Sequence, residues 1–224
     1  MKTIILTGYK GFIGGNLYKA LKKREYDVFG FEEGCTIKDI EDCLNRLSTT
    51  KFEDTTIVHQ GAITDTLYKD NSEMMRNNYL FSTELFDLAL KNDINVVYAS
   101  SAAIYGSGKE KTPINIYGWS KYASETYGIL KFQNTSQKPL TGAKPRFVAL
   151  RYFNVFGPNE ENKGRMASVA YQAMKKGKFE LFPKKPKRDF VYVEDVVRAN
   201  IHAIENVNVK TGFYDVGSGK SHTF

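Results

Sequence analysis

Hydrophobic residues in this chain follow two periods that alternate along the sequence. Short runs rich in β-branched and aromatic residues predict buried strands; they are "KTIILTG" (2–8), "DVFGFEE" (27–33), "TTIVHQGA" (55–62), "NVVYASSAAIYG" (95–106) and "RFVALRYFNV" (146–155). Apolar residues at helical spacing predict helices over 12–24, 37–48, 72–91 and 117–132. This alternation predicts an α/β fold with a doubly wound parallel sheet.

The connection between the second and third predicted strands is short. Residues 33–54 leave room for one helix and at most a vestigial strand near 35–37. We therefore expect one edge strand of the sheet to be reduced or absent.

Composition narrows the function classes. The 224 residues carry a formal net charge of +7, but the basic residues are spread singly along the chain, except in "PKKPKRDF" (183–190). This patch lacks interleaved aromatic residues, so it favours a small anionic ligand over nucleic acid. The sequence also predicts no membrane span, no signal peptide, and a cytoplasmic location. Cys35 and Cys43 and the scattered histidines predict no disulfide and no metal site.

A glycine-rich loop follows the first predicted strand and opens the first helix. Gly8, Gly11 and Gly14 in "TGYKGFIGG" have the spacing at which backbone N–H groups approach a dinucleotide pyrophosphate. Glu32, at the end of the second strand, favours NAD because a carboxylate can accept a hydrogen bond from the adenosine ribose. Lys10 and Lys38 favour NADP because either could pair with a 2′-phosphate. The sequence leaves this choice open.

A tyrosine and a lysine lie one helical turn apart downstream of this loop. In "YGWSK", Tyr117 and Lys121 are at positions i and i+4, so both face one side of a helix. A nearby ammonium favours the phenolate, so we expect Lys121 to lower the pKa of Tyr117. Tyr117 could then take a proton from a substrate alcohol while hydride moves to the cofactor. Ser101, at the end of the preceding strand, is the expected hydrogen-bond partner of the reacting oxygen.

Several motifs together resemble one enzyme family. They are "TGYKGFIGGN" (7–16), "HQGA" (59–62), "MMRNNYLFSTELF" (74–86), "YASSAAIYG" (98–106), "NIYGWSK" (115–121), "RYFNVFGP" (151–158), "NKGRMASVAY" (162–171), "KRDFVYVEDV" (187–196) and "GFYDVGSG" (212–219). They resemble the extended short-chain dehydrogenase/reductase superfamily in its NAD-dependent epimerase/dehydratase branch. "RYFNVFGP" is similar to the nucleotide-sugar enzymes of that branch, and "KGRMASVAY" to its ADP-glycero-manno-heptose 6-epimerases.

The resemblance implies a role for individual residues. It assigns a tightly bound NADP or NAD to Gly8, Gly11, Phe12, Ile13, Gly14, Glu32, Gly61, Ala62, Asn78, Tyr117, Lys121 and Val155. It assigns a nucleotide-diphosphate sugar to Ser101, Asn154, Arg165 and Arg188, with Arg188 on the diphosphate. Ser101, Tyr117 and Lys121 match the family's catalytic triad, and Lys163 matches a second acid/base residue.

The implied reaction inverts a sugar carbinol through transient oxidation by bound NAD(P)⁺. Hydride returns to the opposite face of the ketone, so the two epimers need two acid/base groups, Tyr117 and Lys163. Rival interpretations are a 4-epimerase, dehydratase or ketoreductase acting on another nucleotide sugar, and a shortened, non-catalytic dinucleotide-binding protein. Ala102 and Ala103 count against a dehydratase, which has an acidic pair after its active-site hydroxyl.

The resemblance also implies how the chain is divided. We expect an NAD(P)-binding Rossmann domain over 1–157 and a partial substrate-binding lobe over 158–224, with a segment near 188–205 returning to the first domain. The chain ends at "GSGKSHTF", where members of the branch continue, so the lobe is expected to be truncated. Arg165 and Gln172 replace the usual Ser and His, which leaves the exact sugar open. A homo-oligomer through the helices at 72–91 and 117–132 is expected.

Overall fold

A computed structural model describes residues 2–47, 54–108, 110–136, 139, 143–176 and 187–223. The strands are β1 (Thr3–Thr7), β2 (Asp27–Phe31), β3 (Thr55–His59), β4 (Asn95–Ser101), β5 (Phe147–Tyr152), β6 (Asn154–Phe156), β7 (Lys187–Tyr192), β8 (Gly212–Val216) and β9 (Ser221–Thr223). The α-helices are α1 (Phe12–Lys23), α2 (Ile37–Arg46), α3 (Asn71–Met75), α4 (Phe81–Lys91), α5 (Ile116–Asn134), α6 (Val169–Lys176) and α7 (Val193–Glu205).

Six parallel strands form the central sheet in the order β2-β1-β3-β4-β5-β8. From β1 the chain moves first to β2 and then in the opposite direction through β3. The predicted doubly wound sheet is therefore confirmed, and its switch point lies between β1 and β3. Alternate residues face opposite layers: Ile4 and Leu6 pack with α1 and α7, whereas Ile5 packs with α2, α4 and α5. Burial on both faces explains the near-continuous apolar runs.

The edge of the sheet beside β2 is shortened. Among the described residues no strand pairs with the outer side of β2, which confirms the expected loss of an edge strand. Residues 35–37, where the sequence left room for a vestigial strand, form none, because α2 begins at Ile37. Thr36 caps this helix: its hydroxyl accepts from the Asp39 backbone N–H at 3.2 Å, and the Asp39 carboxylate accepts from Thr36 N–H at 2.8 Å.

The long helix expected over 72–91 is interrupted. A π-helical turn over Arg76–Leu80 separates α3 from α4. Within this turn the Asn78 carbonyl accepts from the hydroxyls of Ser82 at 2.7 Å and Ser124 at 2.9 Å. A π turn changes which backbone carbonyls accept hydrogen bonds within the helix. Here the Asn78 carbonyl accepts from the two serine hydroxyls. The apolar spacing over 72–91 gave no indication that the helix is interrupted.

A second, three-stranded sheet has the order β6-β7-β9, with β6 parallel and β9 antiparallel to β7. Following β7, α7 packs in the same core layer as α1, and β8 extends the central sheet beside β5. The chain after residue 187 thus contributes to both sheets. Of the basic patch over 183–190, residues 183–186 lie outside the described residues.

Candidate active site

The expected site residues lie at the carboxyl ends of neighbouring strands. Gly8 follows β1, Gly61 follows β3, Ser101 ends β4, and Asn154 follows β5. Because β1, β3, β4 and β5 are adjacent and parallel, these residues line one edge of the sheet. Ligands of doubly wound sheets bind at this edge, beside the switch point.

The glycine loop has the shape that a pyrophosphate requires. Gly8 has a φ of +67°, and a Cβ there would lie 2.7 Å from the Gly61 nitrogen. A Cβ on Gly14 would lie 2.0 Å from the Gly8 carbonyl oxygen, so α1 packs directly on the loop. No side chain caps the first turn of α1 at Gly11, and that turn contains no acidic residue. Its N–H groups and partial positive charge fit a dinucleotide phosphate.

Glu32 is hydrogen-bonded to the glycine loop. Its Oε1 accepts from the backbone N–H of Lys10 at 2.5 Å. The two lysines that favoured NADP have other contacts: the Lys10 ammonium lies 5.5 Å from the Tyr9 ring centroid, and Lys38 pairs with Asp42 at 3.5 Å. A carboxylate, rather than a free ammonium, is thus fixed against the loop.

Ser101 and Tyr117 occupy the ends of two elements. The Ser101 hydroxyl accepts from the Ala103 backbone N–H at 3.1 Å and begins a 3₁₀ turn over Ala102–Tyr105. Tyr117 lies in the first turn of α5, which Asn115 caps by accepting from Gly118 N–H at 2.8 Å. Burial raises the pKa of Tyr117, and a hydrogen bond from the Ser101 hydroxyl partly lowers it.

Lys121 is buried and its side chain is directed to β4. Its Nζ donates to the Ala99 carbonyl at 2.8 Å and lies 4.8 Å from the Tyr98 ring centroid. Burial lowers the pKa of Lys121 to about 7. Burial raises the pKa of Tyr117, the Ser101 hydroxyl lowers it in part, and Lys121 has no part in the shift, so the expected lowering by Lys121 is wrong for the protein on its own.

Asn78 is fully buried within the π turn and holds the loop that follows β3. Its side-chain oxygen accepts from Ile63 N–H at 2.8 Å. Its side-chain nitrogen donates to the Ile63 carbonyl at 2.8 Å and to the Ser120 hydroxyl at 3.2 Å. Asn78 thus joins the loop after Gly61 and Ala62 to α5, the helix that carries Tyr117.

His59 is a buried residue whose contact with the cofactor loop the sequence did not reveal. Its Nδ1 lies 2.6 Å from the Thr7 hydroxyl, which accepts from Gly61 N–H at 3.1 Å. Its Nε2 lies 2.8 Å from the Ser82 hydroxyl, whose own proton goes to the Asn78 carbonyl. These directions place the imidazole proton on Nε2. Burial, with the charge of Lys121, lowers the pKa of His59 to about 3, so the ring is neutral.

Lys163 lies beside the glycine loop. Its Nζ is 3.2 Å from Glu160 Oε1 and 4.8 Å from the centroid of the Phe12 ring. The buried Glu160 carboxylate also accepts from Ser168 N–H at 2.6 Å and from its hydroxyl at 2.8 Å. Lys163 is three-quarters buried, with a side-chain exposure of 25%. The fold therefore brings Lys163 to the helix N-terminus that the glycine loop forms.

The remaining expected residues differ in exposure. Asn154 is exposed on β6, whereas its neighbour Val155 is buried in the core layer of α1 and α7. Arg188 is exposed on β7 and stands opposite His222 of β9. The side chain of Arg165 lies outside the described residues.

Behind Ser101 lies a buried ion pair that the sequence did not predict. Arg151 and Glu125 are almost completely buried; Nε of Arg151 donates to Glu125 Oε2 at 2.9 Å and Nη2 to Oε1 at 2.5 Å. Their positions gave a signal, because Arg151 interrupts the apolar run of β5 and Glu125 follows Lys121 by one helical turn.

Across the described ranges, no three histidine, cysteine, aspartate or glutamate side chains group as metal ligands. Within the same part of the chain, no helix is both long and apolar enough to cross a membrane.

Comparison with known proteins identifies the family. The model of the NAD dependent epimerase/dehydratase family matches residues 4–217. The chain belongs to this family. ADP-L-glycero-D-manno-heptose-6-epimerase from Pseudomonas aeruginosa is 38% identical over 256 aligned positions, which cover 99% of this chain and 75% of that protein. The resemblance inferred from the motifs is thereby confirmed.

Solved structures in this family share the fold. The crystal structure of the Helicobacter pylori ADP-L-glycero-D-manno-heptose-6-epimerase superposes with a TM-score of 0.77 at 29% identity, covering 99% of this chain and 78% of that one. UDP-N-acetylglucosamine 4-epimerase from Methanobrevibacter ruminantium has a TM-score of 0.79 at 25% identity, with the same two coverages. These family members are nucleotide-sugar epimerases.

Proposed function

We propose that this chain inverts C6 of ADP-glycero-manno-heptose, using NAD held at the glycine loop. The observation that carries the proposal is the position of Lys163, which contacts Phe12, the first residue of the helix after that loop, while Ser101 and Tyr117 lie at the same edge of the sheet. The similarity to two heptose epimerases supports the choice of sugar. A simple dehydrogenase needs one acid/base group, whereas inversion needs one for each face of the ketone.

Bound NAD supplies reversible hydride acceptance at the substrate carbinol. The N–H groups at the start of α1 would hold its pyrophosphate, and the loop held by Asn78 and His59 would line its path. Lys121 and Tyr117 would face its nicotinamide end, as the family motif implies.

Tyr117 acts as the base for one epimer. Its hydroxyl receives the hydrogen bond of Ser101, which stabilises the phenolate and lowers the pKa that burial raises. With the sugar bound, the single Ser101 proton would be donated either to Tyr117 or to the reacting oxygen of the sugar. Lys121 is buried one turn further along α5 with its Nζ on the Ala99 carbonyl, and we assign it to the nicotinamide end of the cofactor rather than to the acidity of Tyr117.

Lys163 serves the other epimer. Its ammonium is held by the buried Glu160 carboxylate, which Ser168 fixes through two hydrogen bonds. This support restricts the motion of a long side chain and keeps Nζ at the loop. Lys163 would donate a proton to, or take one from, the carbinol oxygen presented on the face opposite Tyr117.

We further propose NAD rather than NADP. Glu32 is fixed at the loop by the Lys10 N–H group, and its carboxylate would repel a 2′-phosphate while accepting from a ribose hydroxyl. Arg188 and Asn154, both exposed on the three-stranded sheet, are proposed to bind the diphosphate and the sugar. The division of the chain at residue 157, the cytoplasmic location and the homo-oligomer stay predictions.

Two substitutions and a matched control test this function. We expect Lys163→Met and Tyr117→Phe each to lower the rate of C6 inversion at least ~100-fold, the scale of one acid/base group. NAD binding should persist in both. Lys91→Met removes another lysine that lies 3.2 Å from a glutamate, Glu41, but on the exposed surface, and should change the rate less than about two-fold. Inversion by Lys163→Met at the wild-type rate would contradict the two-base mechanism.

A further inference from the structure

An ionic cluster next to the catalytic hydroxyl has no role in the chemistry described above; its Ser100, Glu125 and Arg151 side chains are buried, Tyr105 is half-buried and Asp215 is exposed. It consists of Ser100, Tyr105, Glu125, Arg151 and Asp215. Glu125 Oε2 accepts from the Ser100 hydroxyl at 2.7 Å as well as from Arg151. The third Arg151 nitrogen, Nη1, donates to the Tyr105 hydroxyl at 2.5 Å, and that hydroxyl donates to Asp215 at 2.9 Å.

The cluster contacts both sides of Ser101 along the chain. Ser100 directly precedes Ser101, and Tyr105 ends the 3₁₀ turn that Ser101 begins. Glu125 belongs to α5, the same helix as Tyr117, two turns further on. The residues that flank Ser101 are thus bonded, through one carboxylate and one guanidinium, to the helix that carries its partner Tyr117.

We propose that this cluster is a positioning device that sets the hydrogen bond between Ser101 and Tyr117. The guanidinium offers donors in a rigid planar fork, so it holds Glu125 and Tyr105 in one fixed relation. Charge-assisted hydrogen bonds in a buried site resist displacement more than neutral ones do. Arg151 and Glu125 are positioning residues and touch neither substrate nor cofactor. This inference rests on the proposed function only for the role of Tyr117.

The cluster predicts a linked change in the acidity of Tyr117. The Ser101 hydroxyl donates to the Tyr117 oxygen and lowers its pKa. If the residues flanking Ser101 lose their anchors, this bond lengthens and the pKa of Tyr117 rises. Tyr105→Phe removes the anchor on one side, and Ser100→Ala removes the anchor on the other. Both changes are small and leave the Arg151–Glu125 pair intact.

The test follows the titration of Tyr117 by NMR in the NAD complex, with tyrosines labelled at Cζ and the signal assigned by Tyr117→Phe. We expect the midpoint to rise by about half to one pH unit in Tyr105→Phe and in Ser100→Ala, the scale of a weakened hydrogen bond to a charged group. Tyr26→Phe is the matched control, because it removes a 2.5 Å phenol–carboxylate bond to Glu205 at the opposite edge of the sheet; it should leave the midpoint unchanged.

Turnover of the heptose substrate supplies a second readout. Both variants should lower kcat about ten-fold with little change in KM, because a misplaced catalytic group affects the chemical step. An unchanged Tyr117 midpoint in both variants would overturn the positioning role, whatever the effect on thermal stability. The NMR titration needs no substrate, so a wild-type protein that does not turn over the heptose would contradict the proposed function alone.

Discussion

Two adjacent glycines in α1 should respond in opposite ways to the same substitution. An alanine Cβ at Gly14 would lie 2.0 Å from the Gly8 oxygen and 2.9 Å from the Gly8 carbonyl carbon, both backbone atoms that no rotamer change can move. At Gly15 the nearest atom is the Tyr9 carbonyl oxygen at 3.5 Å, an ordinary contact. Gly14→Ala must therefore move α1 away from the loop, at a cost of about 1–3 kcal/mol of overpacking. Gly15→Ala should gain up to ~1 kcal/mol of helix propensity.

The displacement of α1 also separates its N–H groups from the pyrophosphate. We expect Gly14→Ala to weaken NAD binding at least ~30-fold, which corresponds to about 2 kcal/mol, and to lower the melting temperature by several degrees. Gly15→Ala should bind NAD as the wild type does and melt slightly higher. Titration calorimetry with NAD and thermal unfolding of both variants make the comparison. Wild-type NAD affinity in Gly14→Ala would refute the assignment of this loop to the dinucleotide.

Three other expectations concern charged residues. Glu125→Gln should lower the free energy of unfolding by about 3–5 kcal/mol in a denaturant titration, because Arg151 would remain buried without its counterion; a loss below ~1 kcal/mol would contradict this. Lys121→Met should raise the free energy of unfolding at pH 7 by an amount on the order of a few kcal/mol. Burial lowers the pKa of Lys121 to about 7 from its ordinary 10.5, so the unfolded state binds more protons between these values and wild-type stability rises with pH. The extra free energy of unfolding of the methionine variant should vanish above pH 10.5. A difference from wild type that stays constant with pH would contradict this explanation. Glu32→Gln should weaken NAD binding ~10-fold and reduce the preference of the protein for NAD over NADP. Calorimetry with both cofactors measures this.

Short-range patterns predicted much of the fold and of the site. The strand–loop–helix context of Gly8, Gly11 and Gly14 predicted the cofactor loop, and its geometry fits. Helical spacing placed Tyr117 and Lys121 on α5, but it fixes only the face of a helix and not the side-chain torsions. The Lys121 ammonium turns to the Ala99 carbonyl of β4, so its expected effect on the pKa of Tyr117 was wrong.

Features that depend on contacts between residues far apart in the chain could not be predicted from the sequence. The π turn depends on two serine hydroxyls, one of them on α5, that bind the Asn78 carbonyl. Arg151 meets Glu125 from a different element, 26 residues away. Lys163 reaches Phe12 only because the chain after β6 returns to α1, where Asn16 donates to the Pro158 carbonyl at 3.0 Å. No periodicity in the sequence encodes such meetings between elements.

The most direct test of the central claim is proton NMR of ADP-glycero-manno-heptose incubated with the protein and NAD. Starting from either C6 epimer, we predict conversion to the same mixture of both epimers, with no net reduction of NAD because the hydride returns to the sugar. The same incubation is repeated with GDP-, UDP- and dTDP-sugars, none of which should change. Inversion of one of those sugars, with the ADP-heptose left intact, would contradict the account.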